Sequence, residues 1–208
     1  MTQAPDLPNT ISSGALVSDR AVLESSVTVG HFALIDPEGG GGTRIGRGSS
    51  IGSHALIEDD VVIGEDCVID PYCRICAGAR VGDGTKILYG AAVFEGVSIG
   101  QKCIIGGNVS DRTIVEDFVT YFGEIAHGYR IPGDLEAWDG PSQPSPIIRA
   151  RSVIGQNALL VGGIEIGEGA YVAAGEIVRC NVPPHHMLVH GRLRDLSGFR
   201  GRIQARSD

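Results

Sequence analysis

The sequence predicts an all-β solenoid of short parallel strands, and three observations support this prediction. An aliphatic residue recurs at every sixth position from Ile45 to Ile105 without interruption. The fifth position of each hexad is mostly small, as at Ala55, Cys67 and Ala79. The chain holds 31 glycines among 208 residues but only 5% aromatic residues. A period of six matches neither a helix, with about 3.6 residues per turn, nor a long alternating strand, with a period of about two.

The six-residue register runs in three blocks. The first extends from Ile11 to Ile35, after which a run of glycines shifts its phase, and the others cover 45–105 and 148–178. Gly, Asp and Asn between the aliphatic positions supply the positive φ that tight turns need. We therefore expect three short strands to close a triangular coil of about 18 residues, with coils stacked about 4.8 Å apart and the aliphatic residues inside.

The chain divides into a coil domain over 11–183, with a loop inserted at 128–145, and a tail over 184–208. The tail is rich in arginine. A short helix is one conformation open to it, although Gly198 and Gly201 weaken that helix.

The composition argues against several classes of function and location for this chain. The 17 Lys and Arg against 25 Asp and Glu give a net charge of -8, which offers no basic field for nucleic acid. No apolar run approaches the roughly 20 residues that span a bilayer, which argues against a membrane protein. The N-terminal residues lack the basic and apolar regions of a secretory signal, so we expect a cytoplasmic protein.

His127 stands where the repeat is interrupted, directly before the loop that contains the only tryptophan, Trp138. Long loops in compact domains usually carry function. A neutral imidazole, with a pKa near 6.5, is suited to take a proton from a hydroxyl or amine at physiological pH. We therefore predict that His127 is a general base. His31 and His54 fall inside coils, where we expect structural roles.

The cysteines are assigned to packing. Cys67, Cys73 and Cys103 occupy the small, inward fifth position of their hexads. Cys76 and Cys180 have no partner at the usual metal-ligand spacing. We therefore assign no metal site and no disulfide.

Two segments carry a family resemblance. In the first, the stretch from Glu124 to His127 precedes the loop, and the coil resumes at Ser145-Pro-Ile-Ile. The second runs from 164 to 184. Together they resemble the CoA-dependent acyltransferases of the hexapeptide-repeat family, nearest to the maltose, galactoside and nucleotide-amino-sugar acetyltransferases. The resemblance implies a left-handed parallel β-helix, acetyl-CoA as co-substrate, and a homotrimer with sites between subunits.

The resemblance also implies residue roles. His127 would deprotonate the acceptor for direct attack on the thioester of acetyl-CoA. Asn108 is similar to an acceptor-site asparagine, although an asparagine at a turn explains the same residue equally well. Pantetheine would bond to the main chain at Gln156 and Ala174, and the CoA phosphates would lie near Arg179.

The donor for the oxyanion of the tetrahedral intermediate has two candidates. The chain re-enters near Ser145, and one coil of about 18 residues further on lies Gly163, whose N–H is the choice by stacking. Gln156 is the choice by resemblance. The favoured acceptor is a nucleotide-linked amino sugar, and the loop residues that offer it an aromatic surface and charge are Tyr129, Arg130 and Trp138.

Two other function classes stay open. The gamma carbonic anhydrases share the implied fold and bind zinc through three histidines, and His185 and His190 are five positions apart. Both follow the prolines that end the coils, and no third histidine accompanies them at that family's spacing. The second class is a non-catalytic solenoid scaffold, whose flat faces would bind partners.

Overall fold

The computed structural model describes residues 7–126 and 144–196, which form a left-handed parallel β-helix of about nine coils. Most hexads contribute a two-residue strand and a tight turn, and three hexads complete one coil of a triangular prism. The predicted all-β solenoid is therefore confirmed. No helix within these two ranges is long and apolar enough to cross a membrane.

The first face of the prism is one continuous sheet. Its strands are parallel except the last, which is antiparallel to the strand before it. They are Thr10–Ile11, Thr28–Val29, Ser50–Ile51, Val68–Ile69, Lys86–Ile87, Ile104–Ile105, Thr120–Tyr121, Val153–Ile154, Tyr171–Val172, His186–Val189 and Arg192–Asp195.

The second face is divided into a five-stranded and a three-stranded sheet, and between them Val109 forms an isolated bridge to Val93. The strands of the first sheet are Leu16–Val17, Leu34–Ile35, Leu56–Ile57, Arg74–Ile75 and Ala92–Val93. Those of the second are Glu124–Ala126, Leu159–Val161 and Ile177–Val178.

The third face is an eight-stranded parallel sheet. Its strands are Val22–Leu23, Arg44–Ile45, Val62–Ile63, Arg80–Val81, Ser98–Ile99, Ile114–Val115, Ile147–Ile148 and Glu165–Ile166. We call the corner from the first face to the second the first corner, the corner from the second to the third the second corner, and the corner back to the first face the third corner.

The core is the column of aliphatic residues that the six-residue register predicts. From Val29 to Ile105 every residue of that register is at most 3% exposed, whereas Ile11, on the first described strand, is 51% exposed, so the inward prediction is wrong at that end of the prism. The small fifth positions, such as Ala33 and Ala79, are buried beside them. Inward-facing small residues let the aliphatic side chains of three faces meet without voids.

The three fifth-position cysteines are buried in this core, in agreement with the packing role predicted for them. Each thiol donates a hydrogen bond to a backbone carbonyl of the next coil, as Cys73 does to Leu88 at 3.2 Å. Burial raises the pKa of the Cys73 thiol to about 11, so it remains protonated at neutral pH.

The histidines inside the coils have structural contacts. His54 has a positive φ of 60° at the first corner, and its ring is stacked between those of Phe32 and Tyr72, with centroids 5.3 and 4.9 Å away. The Nδ1 of His31 lies 3.1 Å from the Ser13 hydroxyl oxygen. These contacts agree with the structural roles predicted for both residues.

Coil length is not constant. Most coils hold 18 residues, the glycine-rich segment lengthens one, and two residues are missing from the coils that contain Val109 and Val182. The pairs that show the three lengths are Val68 with Lys86, Thr28 with Ser50, and Ile104 with Thr120, at 18, 22 and 16 positions.

The helix considered for the tail is wrong for the part of it that the structure describes. Met187 pairs in parallel with Tyr171, so the coil register continues past the two prolines. The chain then reverses, and Arg192–Asp195 is an antiparallel strand. His190 and Gly191 have φ values of 51° and 67°. Two successive positive φ angles favour a tight hairpin turn, which directs the chain back along the sheet instead of into a helix.

Candidate functional site

The coil is interrupted at the second corner. The strand Glu124–Ala126 ends there, and the next strand of the coil is Ile147–Ile148. Residues 127–143, which separate them, lie outside the described residues. The predicted base His127 and the predicted acceptor residues therefore have no structural description, and the latter are Tyr129, Arg130 and Trp138.

At this corner each end of the segment is hydrogen-bonded to a neighbouring coil, one to the coil after it and the other to the coil before it. The Gly162 N–H donates to the Ala126 carbonyl at 2.9 Å, and Ala126 pairs with Val161. On the return side, the Ser145 hydroxyl donates to the Asp111 carbonyl at 2.6 Å. The departing and returning backbone is thus fixed by its neighbours on both sides, which gives the corner a defined geometry.

Gly163 lies beside the point of return, as the stacking argument predicts. It is exposed, and its N–H has no hydrogen-bond acceptor within 7–126 or 144–196. A Cβ atom on Gly163 would approach the Cβ of Pro144 to 2.4 Å. The absence of a side chain therefore lets the returning chain pack closely against an unbonded N–H group.

A buried hydroxyl lies at the same corner and was not among the predicted site residues. Thr113 is fully buried, and its hydroxyl oxygen has no hydrogen-bond partner among residues 7–126 and 144–196. Equivalent hydroxyls elsewhere bond to a carbonyl of the next coil, as Thr85 does to Gly100 at 2.8 Å. The next coil after Thr113 is the interrupted one. In the sequence, Thr113 is distinguished only as a polar residue at the small fifth position. Several other polar residues occupy that position and are fully hydrogen-bonded, so the sequence alone could not identify it.

An ionic network joins the coils before and after the interruption, at the third corner. Arg149 donates to Glu116 at 2.8 Å and to Glu165 at 2.7 Å. The second oxygen of Glu116 accepts the Ala150 N–H at 2.9 Å. The Arg149 hydrogen bond, assisted by the Ala150 N–H, lowers the pKa of Glu116 below its ordinary value of 4.5. Glu116 is therefore ionised at neutral pH, and it fixes the resumed coil on the one before it.

We expect Glu116→Gln to lower Tm at pH 7 by about 2 °C, because a partly exposed ion pair contributes little. A carboxylate with a lowered pKa stabilises the fold above its unfolded pKa, and this contribution is lost as the pH falls through the folded pKa. The variant should therefore lose less stability than the parent between neutral pH and a pH below 4, measured by denaturant unfolding. Parallel losses in both proteins would contradict this account.

Asn108 lies at the first corner, so within one chain it is not beside Gly163. Its side-chain oxygen accepts the Ala92 N–H at 3.2 Å. Asn181, in the other shortened coil, accepts the Glu165 N–H at 2.9 Å in the same way. The parallel supports the turn explanation of Asn108, since a side-chain amide replaces backbone where two residues are missing. An acceptor-site role for Asn108 remains a prediction.

Gln156 and Ala174 lie on consecutive coils of the first corner, where the Gly175 N–H donates to the Gln156 carbonyl at 2.9 Å. Both residues are exposed, and neither N–H is bonded within the described parts of the chain. At the other corners the same turn position is often capped by a carboxylate, as Gln101 is by Asp117 at 2.8 Å. The first corner thus presents uncapped N–H groups one coil apart.

Arg179 is exposed at the second corner, one strand beyond Ala174. The predicted phosphate contact and the predicted pantetheine contacts therefore lie at different corners of one chain. A site between two subunits would bring different corners together.

The carbonic anhydrase alternative gains nothing from the described histidines. His185 and His190 belong to no group of three ligand atoms within 4.8 Å among residues 7–126 and 144–196. His185 is at the third corner, and His190 is in the hairpin turn.

Comparison with known proteins identifies the repeat. Residues 60–95 match the family model described as "Bacterial transferase hexapeptide (six repeats)". With the hexad register and the left-handed β-helix, this match confirms the resemblance to the hexapeptide-repeat family.

Curated relatives match parts of the chain. The bifunctional protein GlmU of Rhizobium johnstonii is 35% identical over 80 residues, which are 36% of this chain and 17% of that protein. The serine acetyltransferase of Buchnera aphidicola is 51% identical over 39 residues, 19% of this chain and 15% of that protein. The matched region is thus less than a fifth of the length of each relative.

Among solved structures, the UDP-N-acetylglucosamine acyltransferase of Francisella novicida superposes with a TM-score of 0.49 at 19% identity. The superposition covers 86% of this chain and 66% of the other.

Proposed function

We propose that this hexapeptide-repeat chain is an acyltransferase that moves an acetyl or other short acyl group from acyl-CoA to an amine or hydroxyl of a sugar. The observation that carries the proposal is the interruption of the coil at the second corner, with His127 as the next residue after Ala126. Such an enzyme would act in the cytoplasm, where we expect this chain.

The proposed chemistry needs one base. The imidazole of His127 takes the proton of the acceptor as its nitrogen or oxygen attacks the thioester carbon. The resulting tetrahedral intermediate collapses, the carbon–sulfur bond breaks, and the proton passes to the CoA thiolate. No residue of the chain becomes acylated in this scheme.

The negative charge on the tetrahedral intermediate requires a fixed N–H donor. Gly163 is our first choice, because its N–H has no acceptor in the described ranges and it lies on the coil that follows the interruption. Gln156 is the rival, and its N–H is also unbonded there, although it lies at the first corner.

For the donor, we propose that pantetheine lies along the first corner. Its amides would accept from or donate to the main chain at Gln156 and Ala174, where uncapped N–H groups are one coil apart. Arg179 would meet the phosphates from the second corner of a neighbouring subunit. The family resemblance implies a homotrimer for this arrangement, with its three sites between subunits.

The proposed acceptor is a nucleotide-linked amino sugar, recognised by Tyr129, Arg130 and Trp138 of the inserted segment, with Asn108 as a further candidate contact. An aromatic surface suits a sugar or a base, and a guanidinium suits a phosphate. Because one relative is named serine acetyltransferase, serine belongs in the acceptor panel.

Calorimetric titration with acetyl-CoA tests the proposal first. We expect saturable binding of about one molecule per chain, and then acceptor-dependent release of free thiol with an amino-sugar nucleotide. Thiol release with serine alone would keep the acyl transfer and change the acceptor. Absence of CoA binding would contradict the proposal, and CO₂ hydration activity in that sample would favour the hydratase alternative.

Gly163→Ala should lower turnover by about 10- to 100-fold, because the new methyl group displaces Pro144 and shifts the returning chain beside the proposed oxyanion donor. Steady-state kinetics with saturating acetyl-CoA would measure the effect. Gly90→Ala is the control, since a Cβ there meets no atom within 4 Å; its backbone φ of +71°, unlike that of Gly163, is positive, so this control adds backbone strain without a steric clash. Equal turnover in the two variants would remove Gly163 from the site.

A further inference from the structure

A second cluster of chemically active side chains lies at the second corner, several coils before the interruption. One carboxylate oxygen each of Glu58 and Glu95 and the sulfur of Cys76 lie within 4.8 Å of one another. Glu58 is partly buried, Cys76 is fully buried and Glu95 is exposed. The proposed acyl transfer uses none of these residues.

The coil period brings them together. Cys76 follows Glu58 by 18 positions and precedes Glu95 by 19, so the three residues stand on successive coils. Ile75 pairs with Ile57 on one side and with Val93 on the other, which fixes the residues after them at the same corner. Ligands one coil apart in sequence are thus neighbours in space.

Cys76 differs from the other buried cysteines. Cys67, Cys73 and Cys103 face the core and donate to carbonyls of the next coil at 3.1 to 3.2 Å. Cys76 lies instead at the corner, is 0% exposed, and its thiol has no hydrogen-bond acceptor among the described residues. A buried polar group without a partner, directed at two carboxylates, requires an explanation.

The charges around the cluster suit a divalent cation. Arg74 donates to Oε1 of Glu58 at 2.8 and 2.6 Å, and the Ala77 N–H donates to Oε2 at 3.0 Å. A carboxylate has about four lone-pair sites, so Oε2 keeps one for a further ligand. With the thiol ionised, two carboxylates, one thiolate and one guanidinium sum to a charge of -2, which a dication neutralises.

Burial, followed by the charges of Glu58 and Glu95, raises the pKa of the Cys76 thiol to about 12. The same carboxylates that disfavour a third negative charge attract a cation. A surface groove of about 530 Å³, lined by Pro37, Leu56, Glu58 and Arg74 among others, gives solvent access to the Glu58 side of the cluster.

We propose that Glu58, Cys76 and Glu95 bind one zinc ion, with water as the fourth ligand. Zinc accepts thiolate and carboxylate ligands in tetrahedral sites, whereas magnesium and calcium prefer oxygen alone. On binding, the S–H bond of Cys76 breaks, a sulfur–zinc bond forms, and the proton passes to solvent. The ion ties three successive coils together and stabilises the prism independently of the acyltransferase site.

Cobalt titration of the metal-free full-length protein tests the site directly, since a bound cobalt ion with a thiolate ligand gives a charge-transfer band in the near ultraviolet. We expect this band to saturate at about one ion per chain, and zinc to displace cobalt and raise Tm. Cys76→Ser should abolish the band and weaken zinc binding by at least about 100-fold. Cys180→Ser, which changes an exposed cysteine of the same corner, is the matched control and should bind as the parent does.

Glu95→Gln provides a second variant, because an exposed side chain can be changed with little risk to folding. It should keep the cobalt–thiolate band and weaken zinc binding by about 10-fold or more. Absence of a saturable band in the parent protein would overturn the proposal. Parent-like zinc affinity in Cys76→Ser, or in Glu95→Gln, would do the same.

Discussion

His127→Ala is expected to lower turnover by about 10² to 10⁴, because the acceptor then loses the group that removes its proton. Acetyl-CoA binding should be nearly unchanged, since the proposed pantetheine contacts are main-chain groups at the first corner and the proposed phosphate contact is Arg179. Steady-state kinetics and calorimetry on the same preparation separate the two effects. The pH dependence of the residual activity should also lose the inflection near the pKa of a histidine.

His31→Ala is the control for this prediction. His31 is exposed, lies at the first corner of an early coil, and contacts Ser13. Its removal should leave turnover unchanged. If His127→Ala retained the turnover of the parent, another residue would have to be the base, and the role of the interruption would need a different explanation.

Ile99→Asp is expected to destabilise the protein by about 4 kcal/mol or more, or to prevent folding. Ile99 is 2% exposed on the third face, and the buried residues that the structure describes include no lysine, arginine or histidine that could pair with a carboxylate there. Burial of an unpaired charge is among the costliest single changes, and lost packing adds to it. Denaturant unfolding followed by far-ultraviolet circular dichroism would measure the loss.

Ser98→Asp is the matched control, one residue earlier on the same strand. Ser98 is exposed, so a carboxylate there remains in water and the change should be within about 0.5 kcal/mol of the parent. Similar stability of the two variants would mean that the side chains do not alternate between core and solvent as the structure shows.

The fold was accessible from the sequence because the repeat is a physical constraint at every coil. A residue at the aliphatic position must lie inside a narrow prism, so the pattern from Val29 to Ile105 identifies the core directly. The length of individual coils was harder to predict from the sequence, because side-chain hydrogen bonds replace the two residues that are missing from the shorter coils. Asn108 and Asn181 bond to the backbone of the neighbouring coil at such places, and nothing in their sequence distinguishes that role from ligand binding.

The tail illustrates a different limit. Arginines around apolar residues are compatible with a helix, and the decisive information is the positive φ at both His190 and Gly191. The hairpin is also supported from outside the tail, because Glu176 accepts the Gly191 N–H at 3.0 Å. A tertiary contact of this kind is not visible in local sequence.

The candidate sites also differ in how far the sequence could predict them. The stacking of Gly163 beside the returning chain follows from the coil period, and the structure agrees with it. The expectation of no metal rested on the short ligand spacings of ordinary metal motifs. In a solenoid the relevant spacing is one coil, so Glu58, Cys76 and Glu95 are compact in space while widely separated in sequence.

Because consecutive coils are joined by the same parallel pairing, two sites on one corner of this prism are separated by a whole number of coils. Removing 18 consecutive residues from the regular part would return every remaining aliphatic residue to an inward position, whereas removing 17 would turn the rest outward. A molecule that lies along a corner therefore meets equivalent backbone groups repeated about every 4.8 Å. The number of regular coils between two sites on one corner therefore sets the distance between those sites.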